Sequence, residues 1–458
     1  MALESADPGL TRGGKGGAFG PSIGSEYHPV RHQPTRIHEM HVLISGAGIA
    51  GPCVAWWLAK AGAQVTVVEK AASLLATGQN IDVNGSALKI IDRMGLMDEL
   101  RRRNTTEKGT QLIDQHGRPF ASFPVTEGVE ASPTSEFEIL RGDLALMFYD
   151  ASKDHPNVEY RFGITVQEVL SNDEKSVKVE LSNGEVETFD LLVAADGQWS
   201  KIRKQCFKLE TIKIVDKNMT AVYATIPRLP HDNMMWNIYL ALGSRIVSTR
   251  PDPYGTIRAC FTRMPCNDEQ KLAWQSASRS DQKTQKELLR STFADAGWQA
   301  QRLLDGMDAA DDFYFHAIQQ IRMSTWSESR VICLGDAAYA PTPLTGMGAS
   351  LAILGSYVLA GEISKLDDGE HPERALKAYE SAFKPFVEEI QSIPFFFPAA
   401  VHPRTALRRW ILQTILWTLA KLVAIPWIVK RFSGDEKAED FPLPQYETFA
   451  DAVSEKGH

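Results

Sequence analysis

Between residues 41 and 69 the chain reads as an apolar strand, a glycine-punctuated turn, a short apolar helix and a valine-rich strand ending on Glu69. Apolar runs without alternation, as at residues 41–45 and 65–69, predict strands buried on both faces. A turn-rich stretch at residues 77–85 leads into a pattern that predicts a helix from 86 to 103. Residues 111–123 alternate around His116-Gly117 and predict a hairpin. Arg141 precedes a helix over 144–152, and a strand pair is expected from residues 158–162 and 176–181, with a turn at Asn183-Gly184. Residues 189–195 form another apolar run, which ends in Asp196-Gly197.

From 211 to 263 the rhythm changes to alternating strands with Pro and Gly turns. Within it, Ile257, Ala259 and Phe261 share one face while Arg258, Cys260 and Thr262 share the other. This predicts a separate antiparallel sheet. Residues 281–307 read as one helix with Leu288, Leu289, Phe293, Trp298 and Leu303 along its apolar side. An apolar run at 330–335 then ends on Asp336, and a proline- and glycine-rich loop to Gly348 leads into an apolar helix over 349–365.

The turn after the first strand is Gly46-Ala47-Gly48-Ile49-Ala50-Gly51. Gly46 allows the tight turn, Gly48 lets backbone approach a pyrophosphate, and Gly51 lets helix pack on strand. The helix N-terminus offers free N–H groups and a positive dipole end to the phosphates. Glu69 lies about 20 residues on, where an acid meets ribose hydroxyls. Glutamate suits an unphosphorylated ribose, which favours FAD or NAD over NADP as the bound dinucleotide. The strand, acid, loop and helix around Asp336 form a second site for phosphate, ribitol or ring contact.

At 458 residues the chain is long enough for two or three domains. Its net charge of −8 gives no reason to expect a nucleic-acid partner. Five scattered cysteines, with Cys53 and Cys333 inside apolar elements, match reduced cysteines of an intracellular protein. Residues 1–38 are expected to be a disordered extension, because residues 13–20 hold five glycines and no apolar period follows. His28 and His32 in that stretch are read as solvated. Neither His-Glu-x-x-His nor Cys-x-x-Cys occurs, so no metal site is expected, and no side chain is required as a nucleophile.

Three motif groups occur in one order: the glycine turn with Glu69; Arg141 with Asp196-Gly197, Ser200 and Arg203; and Gly335-Asp336-Ala337-Ala338 followed by Pro341, Pro343, Gly346 and Gly348. Together they resemble the single-component FAD-dependent monooxygenases of the aromatic-hydroxylase type. Residues 138–144, 311–323, 335–339 and 443–446 bring the resemblance closest to the tetracycline destructase branch. It implies an α/β (α+β overall) fold: a Rossmann-like FAD-binding domain (39–108, 139–210 and 318–380), an inserted antiparallel-sheet substrate domain (109–138 and 211–317), a C-terminal helical cap (381–433) and a tail (434–458). It also implies that Glu69 holds the adenosine ribose, and that Asp82 and Arg141 contact the flavin side. Asp336 would contact ribitol or pyrophosphate, with Gly335 in the same motif. Asp196-Gly197 would serve FAD and a visiting NADPH or NADH, with Arg203 closing that motif, and residues 341–348 would lie along the ring. Tyr339 stands where the family commonly has histidine, and no catalytic role is drawn from it.

Only one Gly-x-Gly-x-x-Gly occurs, so the nicotinamide is expected to visit transiently and the reduced flavin to activate O2, with no catalytic side chain required. A small polycyclic substrate is expected between the second sheet and the ring, with Trp236, Tyr239 and Phe261 as candidate contacts. Residues 410–429 approach the length of a membrane span, but Lys421 and Pro426 interrupt them. A capping helix, with its apolar side on the body or dipped into a membrane surface, is favoured over a span. The expectation is thus a cytoplasmic monomer with possible peripheral membrane contact. A flavoprotein-fold binding module and a membrane-docked epoxidase of terpenoids or lipids stand as alternatives.

Overall fold

The computed structural model describes residue 37 and residues 39–74, 78–125, 136–394, 396–423 and 440–453. The expected extension (1–38, Ile37 apart), residues 424–439 of the expected cap and tail, and residues 454–458 lie outside them. Ile37, placed in the extension by sequence, is fully buried in the main core.

The apolar runs at the fingerprint and after it become one six-stranded sheet. Its order is Ser327–Glu328, Val331–Cys333, Leu191–Ala194, His41–Ser45, Gln64–Glu69, Val158–Phe162, parallel throughout except for the short Ser327–Glu328 edge. Leu191–Ala194 and Val331–Cys333 are buried at every residue, as parallel strands covered on both faces must be. Helices Ala50–Ala61 and Gly348–Ile363 pack together on this sheet, and the Ser356 hydroxyl donates to the Ala50 carbonyl at 3.2 Å. The expected pairing of 158–162 with 176–181 does not form. Val158–Phe162 pairs in parallel with Gln64–Glu69, while Val177–Leu181 lies between Val166–Asn172 and Val186–Phe189 in a three-stranded antiparallel sheet. Alternation alone carries no information on which strand is the partner.

The second large sheet has seven strands, ordered Tyr314–Met323, Ile212–Pro227, Thr256–Arg263, Arg245–Pro251, Trp236–Ala241, Gly109–Ile113, Pro119–Pro124. The hairpin expected at 111–123 forms its edge. One face packs on helices Asp268–Ala277, Gln282–Phe293 and Ala300–Ala309 around Val222, Phe261, Phe293, Leu303 and Met307. The helix expected over 281–307 is thus two helices, broken where Gly297 (φ 90°) and Trp298 (φ 48°) turn left-handed and Trp298 meets the Tyr239 ring. The helix expected over 86–103 is likewise split, into Ser86–Arg93 and Met97–Arg102, at Gly95 (φ 77°). The expected domain border at 380/381 falls inside one continuous helix, Glu373–Ile390.

A buried ionic cluster joins the seven-stranded sheet to the short strand pair Asn80–Asp82 and Glu138–Leu140. The Arg250 guanidinium donates to Glu107 at 3.0 and 3.2 Å, pairs with Glu138 and stacks over the Trp236 ring at 4.3 Å. Asn80, on the strand paired with Glu138–Leu140, donates to Glu138 at 2.6 Å and to the Pro251 carbonyl at 3.1 Å. Losing one partner of such a cluster leaves a buried charge uncompensated.

The C-terminal part is fastened to the seven-stranded sheet. Gly243 and Ser244 donate to the carbonyls of Arg404 and Pro403, both at 3.2 Å. His402 is buried; its Nδ1–H donates to the Pro398 carbonyl at 2.7 Å and its Nε2 accepts from the Thr262 hydroxyl at 2.9 Å. Helix Ala406–Val423 then lays Leu412, Leu416 and Ala420 against Leu112, Phe123 and Leu240.

Burial holds the His402 pKa near 4, below the ordinary 6.5. The unfolded chain therefore takes up this proton first, and stability falls as pH drops from about 6.5 to about 4, by roughly 3 kcal/mol at full effect. Thermal melts from pH 7.5 to 4 should show a shallower acid loss in His402→Gln than in the parent chain; equal slopes would remove His402 from this role.

Candidate active site

The loops leaving the C-terminal ends of the parallel strands converge. Gly46 has φ 106°, and a Cβ there would lie 2.5 Å from the Ala195 carbonyl oxygen, so the fingerprint turn is pressed against the backbone that carries Asp196. A Cβ at Gly51 would lie 1.9 Å from the Gly46 carbonyl oxygen, the close helix-to-strand contact that the motif demands. Gly335 sits against Ala50 and Ala352 and so joins the Asp336 loop to both helices. Gly48 differs. A Cβ there would meet no atom of the described residues within 4 Å, so protein packing does not account for this glycine and the space before it is open to a ligand.

Helices Ala50–Ala61 and Gly348–Ile363 both begin without a side-chain cap among the described residues, and neither has an acid in its first turn. Two positive helix ends therefore border the cleft. Glu69 accepts the Ala47 N–H at 2.8 Å and the Ala71 N–H at 2.9 Å, which fixes the turn. Each carboxylate oxygen keeps a second lone pair for a ribose hydroxyl.

Asp82 and Arg141 stand at opposite ends of the strand pair Asn80–Asp82 and Glu138–Leu140: Asp82 lies opposite Glu138, and the Arg141 N–H donates to the Gln79 carbonyl at 3.0 Å. A side chain at Gly346 would approach Asp82 Oδ2 at 4.0 Å, which sets the loop of Pro343–Thr345 beside that pair. Asp336 and Tyr314 are exposed to solvent yet crowded by protein, the combination expected of groups lining a deep cleft. Crowding raises both pKa values, and the positive charge of Arg141 opposes the rise in each. Thr342, in the same loop, has φ 88° and a buried hydroxyl with no partner among the described residues. Strain and an orphaned hydroxyl side by side are a signature of a functional site.

Arg203 proves to be a clamp within the protein. It is fully buried, and its guanidinium donates to the carbonyls of Ala337 at 2.6 Å and Gln198 at 2.7 Å, tying the turn after Asp196-Gly197 to the helix that starts at Asp336. Desolvation lowers its pKa. Its guanidinium contacts are thus to backbone carbonyls of the protein. Burial raises the pKa of Asp196, whose Oδ2 accepts the Lys201 N–H at 3.0 Å. Tyr339 is buried with its hydroxyl 2.9 Å from that of Tyr379, within the core.

The substrate candidates divide between two faces of the seven-stranded sheet. Tyr239 and Phe261 lie on the helix-covered face, in the cluster with Phe293, and so are corrected from substrate contacts to core. Trp236 has the opposite parity and lies under Arg250. On its side, cross-strand register aligns Ile238, Ser248, Cys260, Tyr223 and Tyr314 in one row, and Ile246, Thr262, Ala221 and His316 in the next. Leu344 and Tyr223 pack against the cluster of Met219, Ala221 and Ile318, and helix Ala406–Val423 covers the other end of the sheet. Loop and helix thus border the same sheet face.

Sequence reasoning passed over His316, Gln198, Thr342 and Tyr223. His316 is buried, its Nε2 lies 2.9 Å from Gln198 Oε1, and its Nδ1 has no partner among the described residues. Burial, then the charge of Arg141, lowers its pKa to about 4, so it is neutral at pH 7. Alternation along residues 314–323 was the available signal, but which face meets the cleft depends on register. Cys260 has its thiol pushed up to about 12 by burial, which leaves it a neutral, unreactive group.

These features fit an FAD: an open glycine turn, two uncapped helix ends, a ribose acid and an enclosed acid with a nearby arginine. The family model described as "FAD binding domain" matches residues 39–392. Monooxygenase CTB7 of Cercospora beticola is 38% identical over 418 residues, covering 89% of this chain and 97% of its own. FAD-dependent monooxygenase asL4 of Sarocladium schorii is 32% identical over 435 residues, covering 88% and 98%. Among solved structures, tetracycline destructase Tet(55) superimposes with a TM-score of 0.71 at 27% identity, over 90% of this chain and 100% of that one. The chain belongs to the FAD-binding-domain family and is an FAD-dependent monooxygenase of the aromatic-hydroxylase type.

Proposed function

We propose that this enzyme consumes NADPH or NADH and inserts one oxygen atom of O2 into a polycyclic aromatic or enol-type small molecule. The observation that carries the reading is the sheet face bordered by the Pro343–Thr345 loop and helix Ala406–Val423. It combines an apolar floor (Ile238, Ile246, Ala221) with a few polar groups (Ser248, Tyr223, Thr262), and Leu344 packs on it from the loop along which the ring would lie. A fused-ring molecule with scattered oxygens matches that mixture. The likeness to a tetracycline destructase, named for a fused polycyclic enol, supports the same substrate class.

Bound FAD supplies nicotinamide oxidation and oxygen activation. The chain's residues do the rest. The Gly48 turn and the helix start at Ala50 would hold the pyrophosphate, Glu69 the ribose, and Asp336 the ribitol or pyrophosphate. The positive end of helix Gly348–Ile363 would stabilise negative charge on the reduced ring. Neutral His316 and the Thr342 hydroxyl stand ready to orient substrate, and the apolar helix keeps bulk water from the reacting atoms.

Incubated with polycyclic enols, phenols and prenylated aromatics, the yellow holoenzyme should oxidise NAD(P)H faster with one class and yield a product heavier by one oxygen in mass spectrometry. A colourless protein after flavin incubation, or oxidation that no compound stimulates, would overturn the reading. Gly48→Val should weaken FAD binding at least tenfold in fluorescence titration while the apoprotein's melting temperature stays unchanged, since the side chain enters ligand space alone. The two sheet faces should separate as well: Phe261→Ala should cost about 3–5 kcal/mol of stability, whereas Tyr223→Leu should raise KM about tenfold at nearly unchanged stability.

A further inference from the structure

Helix Ala406–Val423 is apolar on both sides. Leu412, Leu416 and Ala420 pack inward on the substrate-facing sheet, while Leu407 and Trp410 are 67% and 63% exposed and Ile411, Ile415, Trp417 and Leu422 are exposed beside them. Large apolar side chains in a contiguous exposed patch mark an interaction surface. The outward polar groups are already satisfied within the helix: Thr414 donates to the Trp410 carbonyl at 2.9 Å and Thr418 to the Thr414 carbonyl at 2.8 Å. Moving this face out of water would therefore strand neither hydroxyl.

The surrounding charge points to the occupant. Residues 390–434 contain no Asp or Glu, in a chain whose net charge is −8, and they carry Arg404, Arg408, Arg409, Lys421, Lys430 and Arg431. Lys421 lies 5.9 Å from the Trp417 ring centroid, a long side chain that can lift its ammonium to a polar layer while the ring stays below. Exposed tryptophans and leucines edged by cations, with no acid among them, are the composition of a helix lying in a bilayer interface. Among the described residues no helix is long and apolar enough to cross a membrane.

We propose that the outer face of helix Ala406–Val423 docks on an anionic phospholipid bilayer, lying parallel to its surface with Trp410 and Trp417 at the headgroup level. Docking sets the roof of the substrate-facing sheet against the lipid, so an apolar substrate dissolved in the bilayer reaches that sheet by a short path. The docking itself stands whatever the substrate is, and its test uses no turnover.

The test is flotation of the full-length holoenzyme with vesicles of phosphatidylcholine alone and of phosphatidylcholine with 30% phosphatidylserine, together with its mass in solution by light scattering. Expected is a monomer that floats with the phosphatidylserine vesicles and is released as salt screens the cations. Trp410→Gln combined with Trp417→Gln should weaken partitioning at least tenfold. Arg408→Gln combined with Lys421→Gln should weaken it about ten- to thirtyfold on anionic vesicles. Both variants change exposed side chains, and retained flavin colour and melting temperature would report an intact fold. The proposal is overturned if the parent chain does not float, if neither variant alters flotation, or if the parent is a dimer that the tryptophan variant dissociates, which would make the face an interface between copies.

Discussion

The cleft depends on backbone approaching backbone more closely than any side chain would allow. The turn at Gly46 lies on the Ala195 carbonyl, helix Ala50–Ala61 lies on the Gly46 carbonyl through Gly51, and Gly335 lies on Ala50. Three loops from distant parts of the chain are thereby brought to one place at the ends of parallel strands, where α/β sheets bind ligands. Arg203 adds a polar tie between two of them by spending a fully buried guanidinium on the carbonyls of Gln198 and Ala337. At Gly48 an added Cβ would meet no atom of the described residues within 4 Å, so protein packing stops there.

The second large sheet is tied by buried charge to the strand pair Asn80–Asp82 and Glu138–Leu140. Arg250 satisfies Glu107 and Glu138 while its flat guanidinium rests on Trp236. Such a cluster adds little net stability compared with an apolar core, but it specifies one arrangement, because any shift leaves an acid unpaired away from water. One face of the sheet is closed by three helices around Phe261 and Phe293. The opposite face stays available to the Leu344 loop and to helix Ala406–Val423. Two buried polar groups have no partner among the described residues, the Thr342 hydroxyl and His316 Nδ1, and a ligand can satisfy them. Burial and Arg141 keep His316 uncharged; with its Nε2–H given to Gln198 Oε1, its Nδ1 can accept a hydrogen bond without adding a charge.

The sequence by itself determined the cofactor half of this protein. Glycine turn, acid and phosphate-facing helix are local requirements, met within about 25 consecutive residues, and a residue that must have no side chain is visible as a letter. The Asp336 loop is legible for the same reason. Its neighbours His316 and Thr342 are not, because a buried histidine and a strained threonine look ordinary until the fold places them.

What only the tertiary structure decided was pairing, parity and breaks. Strand Val158–Phe162 left its expected partner for the parallel sheet, since alternation names a face and not a neighbour. Period two assigns Tyr239 and Phe261 to one of two faces without saying which is covered, and helices Asp268–Ala277, Gln282–Phe293 and Ala300–Ala309 fold back over theirs. The single helix expected over 281–307 broke where Trp298 turned to meet Tyr239, a contact between residues about sixty positions apart. Local chemistry is written in neighbouring residues and can be read there, whereas the side of a sheet that meets a ligand is settled by what packs on the other side.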